Sequence, residues 1–289
     1  MVQDSTMTHV DIPQSAEIHR LMELAQNLAH HGRDLILSRK PPKVEVLVTK
    51  STATDVVTQM DKDVELLIRQ HLVMQRPNDG FLGEEFDSIE PTNGSQLTWV
   101  VDPIDGTVNY LYGLDGYSVS VAVVAGTPDS ENWTQIAGCV VRVSDGMTWW
   151  AGKGHGAWRD GHPIRCNEPH GLGQSLVGTG FGYDAALRAQ QAEVLTKVLP
   201  AVRDIRRIGS AAVDLCSIAD GSLDLFYERG LSAWDMAAGT LIAAEAGAAV
   251  MGLRQDKPNK LMTIVGPETS AIALREILVS QNADSELES

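Results

Sequence analysis

Two aspartates three positions apart, Asp102 and Asp105, follow an apolar run and could do chemistry together. Residues 97–101 are apolar and β-branched, which predicts a buried strand that delivers Asp102 at its carboxyl end, where α/β sheets usually bind ligands. Pro103 holds Asp102 extended, and Gly106 lets the backbone turn so that amides of the next short helix point at one spot. Two carboxylates in one site repel each other unless a cation is bound, and the amides could hold an anion. The segment therefore predicts metal-assisted phosphate chemistry.

Two plainer interpretations of this segment compete with a phosphate site. Asp-Pro and Asp-Gly are ordinary turn dipeptides, so a structural turn stays open at this point. The calcium loop of an EF-hand is excluded, because it needs acids at alternate positions and Pro103 and Ile104 stand between the two aspartates. The choice between a turn and a site depends on the rest of the chain.

Two further acids lie at predicted helix starts. Asp61 begins a predicted helix over 61–75, and it has capping-box spacing from Thr58. Asp235 begins a helix of small residues, where the helix dipole favours an acid in the first turn. Each acid therefore has a structural interpretation, but a helix cap and a metal ligand can be the same residue.

Glu84 and Glu85 follow a short apolar strand predicted over 80–83. Neighbouring side chains of a strand point in opposite directions, so only one of the two can face a given site unless the chain has already turned. We expect Glu84 to face the site, and Glu85 to be either a second site residue or solvent-facing.

The composition is that of an ordinary globular protein and excludes some partners. The 289 residues, 43% hydrophobic and 21% charged, can form one large domain or two small units. The net charge of −15 argues against nucleic acid or an anionic membrane surface as a non-specific partner. The sequence shows no secretory signal and no apolar run of the ~18 residues that a spanning helix needs, so we expect a cytoplasmic protein. Cys139, Cys166 and Cys216 are far apart and odd in number, which predicts reduced thiols.

Hydrophobic periodicity predicts helices mixed with strands. The predicted helices cover 15–38, 61–75, 184–199, 209–220 and 234–247, with a last one from 267. The predicted strands cover 44–48, 56–58, 80–83, 97–101, 117–125, 135–143, 147–151, 205–208, 223–227 and 261–265. The glycines of 152–156 superficially suggest a dinucleotide loop, but they open no long helix, so a hairpin is expected there.

In their order along the chain, these motifs strongly resemble those of the inositol monophosphatase family. The matching motifs are Lys50…Asp55…Asp61, Gly83-Glu84-Glu85, Asp102-Pro-Ile-Asp105-Gly-Thr107-Val-Asn109, Gly209-Ser-Ala-Ala and Glu228…Trp234-Asp235. The resemblance covers about 15–277. It implies an α/β (α+β) fold, the layered α-β-α-β-α sandwich shared with fructose-bisphosphatases. It also implies a magnesium-dependent enzyme of a kind that is usually dimeric and often lithium-sensitive.

The resemblance further suggests how the chain is divided. We expect an N-terminal α+β subdomain over 15–160 with most metal ligands, and a C-terminal α/β subdomain over 161–279 with Asp235 and the substrate contacts. Residues 1–14 and 280–289 are polar and acidic, which is typical of disordered tails.

Carried over residue by residue, the resemblance implies two main magnesium sites. Glu84, Asp102 and the carbonyl of Ile104 would bind the first ion. Asp102, Asp105 and Asp235 would bind the second, and a third, weaker ion would share Glu84. Hard oxygen ligands of this kind suit Mg²⁺.

The resemblance also implies the catalytic roles. Asp61 and Thr107 would orient and deprotonate a water on the first metal, to which Glu84 is a ligand, and the amides of Gly106 and Thr107 would hold the phosphate. The second metal would stabilise the leaving alkoxide in an in-line displacement without a phosphoenzyme. Further phosphate or substrate contacts would come from Asp105, Ser210, Ala211, Glu228 and Asp235, with Lys50, Asp55 and Glu85 in secondary roles.

The substrate is a small phosphate ester whose identity stays open. In the family, a glutamate seven residues before the late metal aspartate binds inositol hydroxyls, and Glu228 precedes Asp235 by that spacing. The match of Ala211 also favours myo-inositol monophosphate. Histidinol phosphate, or another small sugar or nucleotide phosphate, is the alternative within the family.

Other classes of protein fit the sequence less well. A cysteine phosphatase needs an arginine at a fixed distance after its cysteine, where the three cysteines instead have Asp145, Leu172 and Ser222. A haloacid-type phosphatase needs paired aspartates after a strand, whereas Asp61 and Asp63 lie in a helical pattern. A regulatory binding protein on the same fold is the alternative of another class. It should have lost its clustered acids, which are destabilising without metal, yet all are present.

Overall fold

The computed structural model describes residues 12–41, 44–49, 56–254 and 257–285 of the chain. The predicted secondary residues Lys50 and Asp55 lie outside the described residues, as do most of the N-terminal tail and residues 286–289. In the described part of the C-terminal tail, Ala283 is buried and Asp284 accepts a hydrogen bond from an arginine side chain.

The predicted helices are confirmed, together with a short helix after Gly106. The described residues form α1 Ser15–Arg39, α2 Gln59–Gln75, α3 Thr107–Tyr112, α4 Ala185–Val198, α5 Ala211–Ala219, α6 Ala233–Glu245 and α7 Glu268–Ser280. Helix α1 forms where apolar residues recur every three or four positions, and that stripe is buried. None of these helices combines the length and the apolar character needed to cross a membrane.

The described strands form three sheets. They are β1 Val48–Thr49, β2 Val56–Val57, β3 Gly80–Gly83, β4 Leu97–Asp105, β5 Ser118–Ala125, β6 Thr134–Arg142, β7 Thr148–Gly152, β8 Ala157–Arg159, β9 His162–Ile164, β10 Leu176–Thr179, β11 Asp204–Arg206, β12 Leu225–Glu228, β13 Ala249–Met251 and β14 Thr263–Gly266. Strands β3 to β9 form a seven-stranded sheet in sequence order, and β11-β10-β12-β14-β13 form a five-stranded sheet. The β1–β2 pair stands apart as a two-stranded sheet.

Some strands of these sheets were predicted from hydrophobic periodicity and others were not. Strands β5, β6 and β7 are antiparallel neighbours, and the glycines after β7 form the predicted hairpin to β8. The strand predicted over 44–48 is wrong in extent, because pairing there is limited to β1. Strands β8, β9, β10 and β13, each of three or four residues, were not predicted, although the equally short β3 and β11 were.

The elements stack as helix, sheet, helix, sheet, helix, which confirms the predicted fold class. Helices α1 and α2 cover one face of the seven-stranded sheet. Helices α5 and α6 fill the space between the two sheets. Helices α4 and α7 cover the outer face of the five-stranded sheet. The seven-stranded sheet runs to Ile164, so the subdomain boundary proposed at 160 falls inside it.

The three cysteines are free, as predicted. Cys139 and Cys216 are buried and Cys166 is half-buried. Burial raises the pKa of the Cys139 and Cys216 thiols. Thiols of this kind are structural and unreactive.

Candidate active site

A β-bulge in β4 brings Asp102 and Asp105 together. Asp102 pairs with Ser120 of β5 and Asp105 pairs with Ser118, so β4 has one residue more than β5 between these pairs. Side chains three apart on a regular strand point to opposite faces, and the extra residue returns both carboxylates to one face. Pro103 lies inside the bulge, where its missing N–H costs no ladder hydrogen bond. For this reason β4 continues to Asp105 instead of ending at 101.

Asp235 completes a group of three carboxylates with these two aspartates. One oxygen from each of Asp102, Asp105 and Asp235 lies within 4.8 Å of the others. Asp235 lies in the first turn of α6 and accepts a hydrogen bond of 2.6 Å from the amide of Ser232. Asp235 therefore both caps α6 and lies in the carboxylate group.

The N-terminus of α5 holds Asp105 in place. Its carboxylate accepts hydrogen bonds from the Ser210 hydroxyl at 2.5 Å and from the amides of Ala212 at 2.8 Å and Ala211 at 3.3 Å. Burial raises the pKa of Asp105 to about 6, and these hydrogen bonds lower it. Ser210 and Ala211, which were predicted to contact the substrate, are thus placed where they orient a predicted metal ligand.

Asp102 lies in an electrostatically unfavourable environment. Its pKa is raised well above the ordinary value by burial and then by the negative charges of Glu84, Asp105 and Asp235. Its Oδ1 accepts a hydrogen bond of 3.1 Å from the amide of Ile104, which fixes the orientation of the carboxylate. A cation among these oxygens would relieve the repulsion.

Asp61 and Thr107 form a hydrogen-bonded pair beside the carboxylates. The Thr107 Oγ1 lies 3.1 Å from Oδ1 of Asp61 and 3.0 Å from the carbonyl oxygen of Ile104, and its one proton can serve only one of them at a time. The other Asp61 oxygen accepts from the amide and hydroxyl of Thr58, at 2.8 and 2.5 Å, which is the predicted capping geometry. Burial raises the pKa of Asp61 to about 6, although the bonds from Thr58 lower it.

Glu84 and Glu85 both act electrostatically on the acid cluster. Glu84 is half-buried, and of the charged neighbours of Asp102 it raises the pKa of that aspartate most. The charge of Glu85 raises the pKa of Asp61. The chain has therefore already turned after β3, so that two adjacent acids lie near one site.

Glycine is required at position 106, where the chain turns into α3. Gly106 has a φ of +95°, and a Cβ there would lie 2.9 Å from the carbonyl oxygens of Gly116 and Gly209. Asn109 donates to the carbonyls of Gly116 and Ile208, at 2.5 and 2.8 Å. The start of α3 is thus fixed against the segment that leads into α5.

Glu228 is the last residue of β12, and the charges of Asp235 and Asp105 act on it. A Cβ at Gly180 would lie 2.2 Å from both Glu228 carboxylate oxygens, so the carboxylate rests directly on the Gly180 backbone. Burial, followed by the charges of Asp235 and Asp105, raises the pKa of Glu228 to about 8. Its neighbour Arg229 donates to Gln190 and to the carbonyl of Ala283, so it is engaged elsewhere.

Two buried acids near the site were missed in the sequence. Glu65 is fully buried in α2, four residues after Asp61, and this spacing could have placed both on one helix face. Asp214 is buried in α5, and burial and the charge of Glu228 raise its pKa well above the ordinary value. Both were overlooked because an acid within a helical pattern is usually assigned to the solvent-exposed face.

The comparison with protein families decides between the possible classes. The model of the inositol monophosphatase family matches residues 17–284, which is most of the chain. The chain belongs to this family. It is therefore a phosphoric monoester hydrolase.

Individual relatives agree over most of their length. The inositol-1-monophosphatase of Mycobacterium leprae (strain TN) is 45% identical over 216 residues, which is 72% of each chain. The Nus factor SuhB of Vibrio cholerae serotype O1 is 32% identical over 237 residues, covering 81% of this chain and 85% of that protein. The structure of Mycobacterium tuberculosis SuhB superposes with a TM-score of 0.75 at 38% identity, covering 92% of this chain and 98% of that one.

Proposed function

We propose that this protein is a Mg²⁺-dependent phosphatase that hydrolyses myo-inositol monophosphate to inositol and phosphate. The observation that carries the proposal is the group of Asp102, Asp105 and Asp235, whose oxygens lie within 4.8 Å of one another. Relatives named inositol-1-monophosphatase at 42 and 45% identity support the substrate. Small phosphorylated substrates are the general class for this family.

The residues present fit a hard divalent cation. The candidate ligands are carboxylates and one carbonyl, without histidine or cysteine, and such oxygen ligands favour Mg²⁺ over zinc. Glu84, Asp102 and the Ile104 carbonyl would hold one ion, and Asp102, Asp105 and Asp235 a second. A bound ion would act as a Lewis acid, activating water and neutralising charge on the phosphate oxygens.

The Asp61–Thr107 pair would handle the proton of the attacking water. When Thr107 donates its proton to Asp61, the lone pairs of its oxygen are left to accept a hydrogen bond from water. Because burial raises the pKa of Asp61 to about 6, this carboxylate can take up a proton near neutral pH. The amides of Gly106 and Thr107 would orient the phosphate.

Glu228 would select the alcohol half of the substrate. An ionised carboxylate accepts hydrogen bonds from neighbouring hydroxyl groups of a polyol. Burial, followed by the charges of Asp235 and Asp105, raises the Glu228 pKa, and cations on these two aspartates would remove the second of these causes. Histidinol phosphate, or another small sugar or nucleotide phosphate, is the alternative substrate of the same site.

A phosphate-release panel tests the proposal. Purified protein is assayed with inositol 1-phosphate, histidinol phosphate and glycerol 2-phosphate, in Mg²⁺ and in chelator. We expect inositol 1-phosphate to give the highest kcat/KM, with activity only in Mg²⁺. Activity that survives chelation would contradict the proposed Mg²⁺ dependence, and a preference for histidinol phosphate would contradict the proposed substrate.

We also propose that the protein is a cytoplasmic homodimer and that lithium inhibits it.

A regulatory role is the second candidate, because a relative of 32% identity is named a Nus factor. Retention of Asp61, Asp102 and Asp105 supports an enzyme, since buried acids are costly to keep without a use. A regulatory role would then use another surface in addition. A catalytically inactive variant that still performed the function of a Nus factor would favour the regulatory role.

A further inference from the structure

Glu65 lies directly beneath the turn that carries Glu84. It is fully buried in α2, and its carboxylate accepts hydrogen bonds from the amide of Glu85 at 2.7 Å and from the amide of Phe86 at 3.3 Å. Arg69, one helical turn further on, donates to the same carboxylate at 3.1 Å. One buried side chain thus binds the two amides that follow Glu84.

The residue before Glu84 also rests on this carboxylate. A Cβ at Gly83 would lie 2.4 Å from the carboxyl carbon of Glu65, which no real contact allows. Glycine at position 83 therefore lets the backbone lie directly on the Glu65 side chain. Both neighbours of Glu84 in the chain are in contact with Glu65.

Arg69 holds the outer side of the same turn. It donates to the carbonyl of Asp87 at 2.6 Å, and its guanidinium carbon lies 4.3 Å from the ring centre of Phe81 and 5.4 Å from that of Phe86. Phe81 precedes the turn and Phe86 follows it. The turn is closed further out, where Phe81 exchanges backbone hydrogen bonds of 2.7 and 2.8 Å with Ile89.

This arrangement is costly, which argues for a use. A buried ion pair is a weak source of stability because desolvation offsets the attraction, and apolar residues of the same shape often do as well. Glu65 lies on the helix that also carries Asp61, so α2 is a common rigid support for Asp61 and for the Glu84 turn.

We propose that Glu65 and Arg69 are positioning residues that hold the Glu84 turn so that Glu84 can bind a divalent cation. The proposal rests on the proposed function for the role of Glu84. Outer-shell partners of metal ligands typically change metal affinity about 10- to 100-fold when they are replaced.

The test compares Glu65→Gln and Arg69→Met with a matched control, Asp220→Asn. Glutamine keeps the shape of Glu65 but has only one oxygen acceptor for three donors. Asp220 is an equally suitable carboxylate outside the site, because its side chain is 2% exposed and accepts from Arg159 and Trp149, both at 2.9 Å. Mn²⁺ binding is measured by electron paramagnetic resonance, with Mg²⁺ as competitor, and kcat is measured against Mg²⁺ concentration.

We expect Glu65→Gln to weaken Mn²⁺ binding about tenfold or more, with a matching rise in the Mg²⁺ concentration for half-maximal activity. The kcat at saturating Mg²⁺ should change less than about threefold, since the reacting groups remain. Arg69→Met should act in the same direction but less, and Asp220→Asn should lower the melting temperature without changing the metal affinity.

Unchanged Mn²⁺ binding in Glu65→Gln, or an equal loss in Asp220→Asn, would overturn the proposal. If Glu65→Gln does not fold, Arg69→Met decides, because Arg69 is partly exposed and its loss leaves the helix face intact. Wild-type protein that binds Mn²⁺ in a Glu65-dependent manner but releases no phosphate would contradict the proposed function and support the positioning role.

Discussion

The protein contains two kinds of buried carboxylate, and they differ in how their charge is balanced. Asp220 has an arginine and a tryptophan N–H as partners, and Asp79 has Arg76, Trp99 and Ser95. In the part of the chain that the structure describes, no lysine or arginine forms an ion pair with Asp61, Asp102 or Asp105. Asp220 and Asp79 are thus neutralised by arginines of the protein, whereas we expect a bound cation to neutralise the acids of the site.

The difference appears in the pKa values. Burial raises the pKa of Asp61 and of Asp105 to about 6. Burial, followed by the charges of neighbouring acids, raises the pKa of Asp102 well above its ordinary value. Such groups destabilise the metal-free protein at neutral pH, because the folded state then has to hold charges that the unfolded state holds more easily. We infer that removing a carboxylate charge should stabilise the metal-free protein at Asp102 and destabilise it at Asp220.

The largest effect is expected from Asp102→Asn. The change removes a ligand shared by both proposed ions, so kcat/KM should fall by at least about a hundredfold, or ~2.7 kcal/mol. Phosphate release from inositol 1-phosphate in saturating Mg²⁺ measures it. The control Asp220→Asn should keep wild-type activity within about twofold while losing about 1–3 kcal/mol of stability, because it leaves buried donors unpaired. A Asp102→Asn variant with more than a tenth of wild-type activity would show that the ligand is not shared.

The next effect is expected from Thr107→Ala. The hydroxyl is proposed to act on the attacking water, so kcat should fall by roughly a hundredfold with little change in KM. Thr240→Ala is the control, because this buried threonine donates to the carbonyl of Met236 at 2.7 Å on α6 and is not part of the proposed site. A loss confined to KM would make Thr107 a substrate-binding residue instead.

A smaller and substrate-specific effect is expected from Glu228→Ala. Loss of the acceptor leaves polyol hydroxyls unpaired. This should lower kcat/KM for inositol 1-phosphate, with a loss of ~1–3 kcal/mol in transition-state stabilisation. We expect the smaller glycerol 2-phosphate not to reach Glu228, so that its hydrolysis should be nearly unchanged. A uniform loss on both substrates, or no loss, would remove the argument for inositol and favour histidinol phosphate.

The smallest effect concerns pH and the stabilisation by Mg²⁺. Asp61 and Asp105 have folded-state pKa values of about 6, above the ordinary 3.8, so the metal-free protein loses stability as pH rises through that window. Below a pH of about 6, Mg²⁺ must displace protons from these two carboxylates. The rise in melting temperature on adding Mg²⁺ should therefore be larger at pH 7.5 than at pH 5. An equal rise in melting temperature at both pH values would indicate that Mg²⁺ does not bind at Asp61 and Asp105.

The predicted site residues that the structure brings together are those with a local signal in the sequence. Asp102, Asp105 and Thr107 stand in one contiguous motif, and Asp61 and Asp235 are marked by the predicted starts of their helices. Local patterns also predicted the helices and the antiparallel strands β5, β6 and β7 of the larger sheet. These residues meet because strand ends and helix starts converge at one edge of the sheets.

What sequence reasoning missed depends on contacts between distant parts of the chain. The bulge that turns Asp102 and Asp105 to one face is defined by pairing with β5, and the contact of Ser210 with Asp105 spans more than a hundred residues. The spacing of Glu65 from Asp61 is a weak local signal, because it does not reveal the partners Glu85 and Phe86, which lie after β3. Strand β10 is short and contains a glycine, so only its pairing with β11 and β12 reveals it.

Thermal unfolding of the wild type, Asp102→Asn and Asp220→Asn, each in chelator and in Mg²⁺, tests most directly whether the acid cluster is a cation site. In chelator at pH 7.5, Asp102→Asn should unfold at the same temperature as the wild type or higher, and Asp220→Asn lower. Magnesium should raise the melting temperature of the wild type and of Asp220→Asn, but barely that of Asp102→Asn. A destabilised Asp102→Asn that Mg²⁺ stabilises as much as the wild type would contradict this account.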